Sequence, residues 1–471
     1  MHFRFLDHEK FIVDIISDAA IHLRFPTYLV GGFVRDRFLD RLCKDIDVVC
    51  IGSGIQLANE VSKRLEGKPK VTIFKRFGTA MLKYRDIELE FVGARKESYN
   101  FDSRKPVVEE GTLEDDQNRR DFTINALAVD LSTANFGNIL DPFDGLRDLV
   151  DKVIRTPLSP DVTFSDDPLR MMRAVRFATQ LGFDIEENTW KGLKNNSKRL
   201  EIISRERILT ELGKIVMSSK PSIGFKLLEE GGLLKEFFPE LIELKGVEYV
   251  DGKGHKDNFY HTLQVLDNLS ITSNDYWLRW AAILHDIGKP RSKRFTKANG
   301  WTFHGHEVIG ERMVPKLFKR MKLPLDHQMR FVQKMVALHQ RPISLTKEEV
   351  TDSAIRRLIF DAGEDLDDLL LLCNADITSK NQNKVVRYKR NYEFVKERIL
   401  ALEERDHIRN WQPPISGELI METFNISPSR NVGIIKNAIK EAILEGDIKN
   451  EYDEAYKFMI LKGKEIGLMV N

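Results

Sequence analysis

Asp45 and Asp47 stand one residue apart across Ile46, in a stretch, YLVGGFVRDRFLDRLCKDIDVVC, that also carries Gly31 and Gly32. On a strand both acids project from one face while Ile46 points into the core. Side-by-side carboxylates repel each other unless a divalent cation lies between them, and hard oxygen ligands of this kind suit Mg²⁺. Paired glycines let the backbone turn tightly and approach a ligand with no side chain in the way. A helix starting after them aims free N–H groups and a positive dipole end at a phosphate. The stretch therefore predicts a site for a metal-bound triphosphate.

Two further groups of residues extend that chemistry. In Arg119-Arg120-Asp121-Phe122-Thr123-Ile124-Asn125, paired arginines can clamp phosphate oxygens, and Asp121 and Asn125, one helical turn apart, can meet a ribose hydroxyl. Asp167, Arg170, Arg173 and Arg176 recur every third residue, a stripe drifting about 60° per step on a helix of roughly 3.6 residues per turn. An ionised Asp only accepts hydrogen bonds and an Arg only donates them. Cytosine and adenine each present an exocyclic amino donor beside a ring-nitrogen acceptor, so Asp167 and Arg170 together can bond either one. Uracil and guanine present the opposite arrangement and leave buried polar groups unpaired, which rejects them strongly. The pair would admit CTP and ATP, with Arg173 and Arg176 holding or orienting the nucleotide.

A separate constellation comprises His261, adjacent His285-Asp286, His306, His339 and Asp376. Histidines and aspartates converging from several helices suit a metal centre for phosphoester hydrolysis. His304, next to His306, is an alternative ligand.

The elements that must position these groups follow from periodicity. Tyr28-Leu29-Val30 predicts a buried strand, Phe33 to Leu39 a short helix, and Asp45-Ile46-Asp47 the start of a second strand. Helices are expected at Glu9 to Phe25 and Gln56 to Leu65, with strands at Thr79–Tyr84 and Ile87–Val92. Arg95 to Gly111 lacks periodicity and is expected to be a mobile loop. Ser165-Asp166-Asp167-Pro168 reads as a helix start, with a capping Ser, acids at the dipole's positive end and Pro in the first turn. Arg205 to Glu240 has the apolar spacing of helical core.

At 471 residues the chain exceeds what one core usually serves, so several domains are expected. Its net charge of +1 leaves any nucleic-acid surface to local clustering. Three cysteines without C-x-x-C spacing argue against a disulfide framework or zinc ribbon and suit a reducing cytoplasm. The opening residues carry no signal-peptide core, and no apolar run reaches eighteen residues, so a cytosolic protein with no membrane partner is expected.

The pattern GG-x-x-R-D … D-x-D, formed by Gly31, Gly32, Arg35, Asp36, Asp45 and Asp47, resembles the nucleotidyltransferase superfamily that includes DNA polymerase β. In detail it resembles the CCA-adding tRNA nucleotidyltransferase and bacterial poly(A) polymerase family, whose R-R-D-F-T-x-N-A motif is matched from Arg119 to Ala126. DPLRMMRAVRFA from Asp167 is similar to the family's base-selecting helix, with Asp166 where the family usually has Glu. LHDIGKP around His285 resembles the HD superfamily of metal-dependent phosphohydrolases, which implies His261, His285, Asp286 and Asp376 as ligands of a second divalent metal. The resemblance adds Glu90 as a third carboxylate near the Mg²⁺ site, and a base-switching role for the Arg95–Gly111 loop. It places a hinge at Asp141-Pro142-Phe143-Asp144-Gly145 and an RNA grip at Arg430, Lys436 and Lys440.

The implied fold is α+β: a small mixed β-sheet nucleotidyltransferase head (1–148), an all-α neck that recognises the base (149–240), an HD-type helical body (241–386) and a helical tRNA-binding tail (387–471). The implied activity is template-independent addition of C, C and A to the 3′ end of tRNA from CTP and ATP. Poly(A) addition, CC-only or A-only addition, and an RNA-binding scaffold with only HD-type hydrolysis are the competing readings.

Overall fold

Ile46, Val48, Val49 and Cys50 are all buried, so the strand that begins with the two acids runs from an exposed end into the middle of a sheet. Burying each such apolar side chain contributes roughly 1.5–3 kcal/mol, enough to fix the register that decides where the acids point. The computed structural model describes residues 2–75, 78–100, 103–345, 351–378, 382–406 and 411–470. The fold is α+β, and the chain divides into two units, Met1–Pro239 and Glu240–Asn471.

In the first unit, strands β1 (Thr27–Val30), β2 (Asp45–Cys50), β3 (Val71–Phe74), β4 (Thr79–Tyr84), β5 (Ile87–Gly93), β6 (Arg95–Asn100), β7 (Ser103–Glu110), β8 (Ala128–Asp130) and β9 (Ile139–Leu140) alternate with short helices. Seven of the strands form one sheet, in the order β3-β4-β5-β2-β1-β8-β9. β2 and β5 are parallel neighbours at its centre, while β1 flanks β2 antiparallel. Helices α1 (Asp7–Leu23) and α3 (Gly54–Arg64) pack on each other, and α3 packs on β4 and β5. This covers the face opposite the acids with Ile12, Val13, Ile16, Leu57 and Val61.

The segment expected to be an aperiodic mobile loop is instead a hairpin, β6 pairing antiparallel with β7 from Arg95↔Glu110 to Asn100↔Ser103. Residues 101–102 lie outside the described residues. Backbone pairing between two polar strands leaves no apolar period for the sequence to reveal.

Beyond the sheet come α2 (Gly32–Phe38), α4 (Leu113–Asn118), α5 (Gly145–Asp151), α6 (Pro160–Asp166), α7 (Leu169–Leu181), α8 (Glu187–Asn196) and α9 (Arg205–Val216). Ser165 and Asp166, expected to open a helix, close α6. Pro168 is the N-cap of α7, with φ −59°. The signal that starts α6 is Pro160 at its first position. In the segment expected to be a hinge, the Asp141 side chain clasps two backbone amides: Oδ1 accepts from the Gly145 amide at 2.7 Å and Oδ2 from the Leu146 amide at 2.9 Å.

The second unit is helical apart from two short hairpins among the described residues. Helices Asn258–Thr272, Tyr276–Leu284, His306–Met321, His327–Leu338 and Leu366–Asp376 bury Phe259, Trp280, Ile283, Phe318 and Leu369. Helices Gln382–Asp406, Gly417–Phe424, Arg430–Glu445 and Tyr452–Glu465 follow. No helix among the described residues is long and apolar enough to cross a membrane.

Candidate active site

The sheet register sets the carboxylates side by side. Asp47 is the Cα partner of Glu90 and Asp45 of Glu88 on the parallel neighbour β5, so four acids point from one face of two adjacent strands. All four line a cleft of about 610 Å³, together with Gly31, Gly32, Arg35, Arg120, Asp121, Asn125, Arg173 and Arg176. Glu88 and Lys214 are cleft residues that sequence reasoning missed. The alternation in Ile87-Glu88-Leu89-Glu90 was the available signal for Glu88, since Leu89 is buried between the two acids.

Burial pushes the Asp47 carboxyl up to about 6; Arg120 opposes the rise, and Glu90 and Asp45 add to it. A buried acid whose carboxyl is raised in this way favours a cation beside it, and an all-oxygen donor set fits Mg²⁺. Gly31 is held at φ +74°, and a Cβ there would lie 2.9 Å from Asp47 Oδ2 and 3.1 Å from Arg120 Nη1. The glycine therefore leaves open the space between the Asp47 carboxylate and the Arg120 guanidinium. With α2 only seven residues long, the local charges count for more than its dipole.

Arg119 and Arg120 are organised by an acid the sequence reading passed over. Asp116 is fully buried. Its Oδ2 accepts from Arg120 Nε at 3.0 Å and Nη2 at 2.8 Å, while its Oδ1 accepts from Arg119 Nε at 3.0 Å and from Arg119 Nη2. Against the effect of burial, the two guanidinium groups hold the Asp116 carboxyl below its ordinary value. Of the two arginines only Arg120 lines the cleft, so the expected clamp of paired arginines reduces there to one. An acid three and four residues before a pair of arginines was the sequence signal.

Across the cleft, polar side chains form a chain. Arg35 Nη1 donates to Asn125 Oδ1 at 2.8 Å, Asn125 Nδ2 to Asp121 Oδ1 at 2.9 Å, and Arg173 Nε to Asp121 Oδ2 at 2.6 Å. Burial alone would raise the Asp121 carboxyl, but Arg173, Asn125 and Arg170 bring it down to about 2. Phe177 is the floor: the guanidinium carbons of Arg35, Arg173 and Arg176 lie 4.8, 5.3 and 4.0 Å from its ring centroid. Arg176 also pairs with buried Glu211 at 2.6 Å.

The two residues expected to choose the base are engaged elsewhere in the protein. Asp167 Oδ2 accepts from Arg207 Nη2 at 3.0 Å, and Oδ1 from the Leu169 amide at 3.1 Å. Arg170 donates to the carbonyl oxygens of Arg119 at 2.5 Å and Thr163 at 3.2 Å. Among the described residues neither is part of the cleft lining.

In the second unit the histidines and aspartates do converge. His261 Nε2 lies 2.8 Å from Asp376 Oδ1 and 3.5 Å from Asp286 Oδ2, and His285 Nε2 lies 3.2 Å from Asp286 Oδ2. His306 and His339 approach the other carboxylate oxygen, Asp286 Oδ1, at 3.3 and 3.8 Å. His306 is buried and His304 exposed, so of the two it is His306 that faces the cluster. Gly288 permits this approach, because a Cβ there would overlap the His306 carbonyl oxygen. Burial, helped by His285, brings His339 down to about 4.

Residues 27–155 match the poly A polymerase head domain, 182–244 the probable RNA and SrmB-binding site of polymerase A, and 258–380 the HD domain. An A-adding tRNA nucleotidyltransferase of Deinococcus radiodurans is 33% identical over 348 residues, covering 71% of this chain and 76% of that protein. A multifunctional CCA protein of Pseudoalteromonas atlantica is 33% identical over 367 residues, covering 74% of this chain and 84% of that protein. The solved structure of a CCA-adding enzyme in an apo form shares the fold, with a TM-score of 0.66 over 96% of this chain and 94% of that one at 22% identity.

Proposed function

Because the chain belongs to the tRNA nucleotidyltransferase and bacterial poly(A) polymerase family, we propose that it adds C, C and A to the 3′ end of tRNA from CTP and ATP, releasing pyrophosphate. The observation that carries this reading is the set of acids at Asp45, Asp47 and Glu90 beneath the opening left by Gly31 and edged by Arg120.

Asp45 and Asp47, with Glu90, would hold two Mg²⁺ ions, whose chemistry when bound is to neutralise the triphosphate and to lower the pKa of the attacking 3′-hydroxyl. Arg120, fixed by Asp116, takes phosphate oxygens on the opposite side of Gly31. Asp121 and Asn125 meet the ribose, and the arginines over Phe177 secure the nucleotide. For Asp167 and Arg170 to read the base, Arg170 turns from the carbonyl oxygens of Arg119 and Thr163 toward the cleft.

We assign catalysis to residues 1–148, base selection to 149–240, the HD-type centre to 241–386 and the RNA grip to 387–471. RNA contacts there read shape and backbone rather than sequence. The three free thiols and a tRNA substrate suit the cytoplasm. The His–Asp centre would supply a metal-dependent phosphohydrolase activity on phosphoesters.

Equal identity to an A-adding enzyme and to a multifunctional CCA protein gives A-only addition a specific claim as the second reading. CTP and ATP are offered separately to tRNA lacking its last three nucleotides and to tRNA ending in CC. Full CCA synthesis predicts CMP incorporation into the first and AMP into the second; AMP incorporation alone supports the A-adding reading.

A further inference from the structure

Helices α7 and α9 pack on each other, and α9 meets the α7 segment at three successive places. Arg207 Nη2 donates to Asp167 Oδ2 just before α7 begins. Further on, Glu211 Oε2 lies 2.6 Å from Arg176 Nε. Near the end of α7, Gln180 Nε2 donates to the Lys214 carbonyl oxygen at 3.4 Å. The two helices therefore run in the same general direction, and Arg207 to Lys214 spans roughly 10 Å along the axis of α9. Along both helices the order is the same. The residues assigned to the base come first, then Arg173 with its partner Asp121 at the ribose, then Arg176 and Lys214. In a nucleoside triphosphate the ribose separates the base from the phosphates, so the last members of the series lie where the phosphate chain would extend.

Lys214 is the cation at that end whose charge is least committed. Each of the four arginines lining the cleft has a close acid: Arg35 has Asp36 at 2.8 Å, Arg120 has Asp116 at 2.8 Å, Arg173 has Asp121 at 2.6 Å and Arg176 has Glu211 at 2.6 Å. Lys214 Nζ lies 3.6 Å from Glu211 Oε1, too far for a good hydrogen bond, and its side chain is 47% exposed. Glu211 is buried and already in contact with Arg176, so a single negative charge stands between two cations. An anion is the counterpart this end of the cleft lacks.

The residue type suits that anion. The guanidinium groups of Arg35, Arg173 and Arg176 are fixed by their acids and by the ring of Phe177. An ammonium on a four-carbon stem is a mobile point charge with three donors, able to follow a phosphate group that turns about its own bonds.

We propose that Lys214 binds the β- and γ-phosphates of the incoming nucleotide. The proposal rests on the nucleotidyltransferase reading given above. When the 3′-oxygen bonds the α-phosphorus, the bridging oxygen keeps the electron pair of the bond that breaks, and the same two phosphate groups depart as pyrophosphate from beside Lys214. CTP and ATP are identical beyond the base, so Lys214 serves both alike and takes no part in choosing between them. A lysine three residues after a glutamate on a helix is otherwise a weak surface pair, and that account predicts no preference for a triphosphate over a monophosphate.

Equilibrium binding of ATP, AMP and inorganic pyrophosphate to the full chain without tRNA compares the native protein with Lys214→Met, which keeps the length of the stem and removes the charge. The variant is expected to weaken ATP and pyrophosphate about tenfold each, the loss of one charged contact to phosphate, and to leave AMP unchanged. Lys214→Arg should recover most of the loss. In steady-state incorporation KM rises by the same factor for CTP and ATP while kcat changes less. ATP and AMP weakened alike would show that Lys214 acts only by positioning Arg176, and would overturn the proposal. Unchanged ATP binding, or a KM that rises for one nucleotide alone, would overturn it as well. The binding measurements need no nucleotide transfer: a chain that holds ATP through Lys214 yet incorporates neither CMP nor AMP supports the phosphate contact and contradicts the proposed reaction.

Discussion

Arg207 Nη2 donates to Asp167 Oδ2 at 3.0 Å, so the acid assigned to base selection is already held by a guanidinium from the next long helix. A carboxylate has lone pairs enough to keep this bond and still accept an exocyclic amine. Arg207 is thus an orienting residue for Asp167. Arg207→Ala is expected to raise KM for ATP about tenfold while changing kcat less, with Arg207→Lys recovering part of the loss. An unchanged KM in Arg207→Ala removes the orienting role.

Asp116 couples the first unit's stability to Arg120, the arginine proposed to take phosphate oxygens. Removing a fully buried acid leaves Arg119 and Arg120 without their shared partner, a change that costs about 3 kcal/mol. Asp116→Ala should lower the urea midpoint accordingly and raise KM for both nucleotides through the loosened Arg120. A loss below about 1 kcal/mol contradicts this account.

Asp121 gives a pH dependence with a defined sign. A carboxyl held at about 2 against an ordinary 3.8 contributes roughly 2 kcal/mol of stability at neutral pH. The contribution is whole above pH 3.8 and is lost as pH falls through about 2, because the lowered folded-state value favours the ionised form. The stability gap between the native chain and Asp121→Asn should therefore close between pH 5 and pH 2 in urea titrations. A gap constant over that range shows that Arg173 does not stabilise the charge.

The parts of the site that were legible in the sequence are those whose cause is local. An apolar strand, two glycines, a short helix and alternating acids specify Gly31, Asp45 and Asp47 within one stretch, and period-two alternation specifies β4 and β5. What was illegible depends on pairing at a distance. That Asp45 faces Glu88, and Asp47 faces Glu90, is a matter of parallel register between β2 and β5, set after a crossover through α3, β3 and β4. The β6–β7 hairpin is held by backbone bonds that polar side chains do not advertise. Arg207 reaches Asp167 from 40 residues along the chain, a separation no periodicity spans. Asp116 was legible in principle, three and four residues before the arginines it binds, but in a run of acids its burial could not be told from exposure.

The most direct measurement is incorporation of labelled CMP and AMP by Asp45→Ala, with tRNA binding followed in parallel. The acids are assigned to metal-assisted chemistry and not to gripping RNA. The variant should therefore bind tRNA as the native chain does while incorporating neither nucleotide at any Mg²⁺ concentration. Incorporation at the native rate contradicts the assignment of the paired acids, and with it the site on which CCA synthesis here depends.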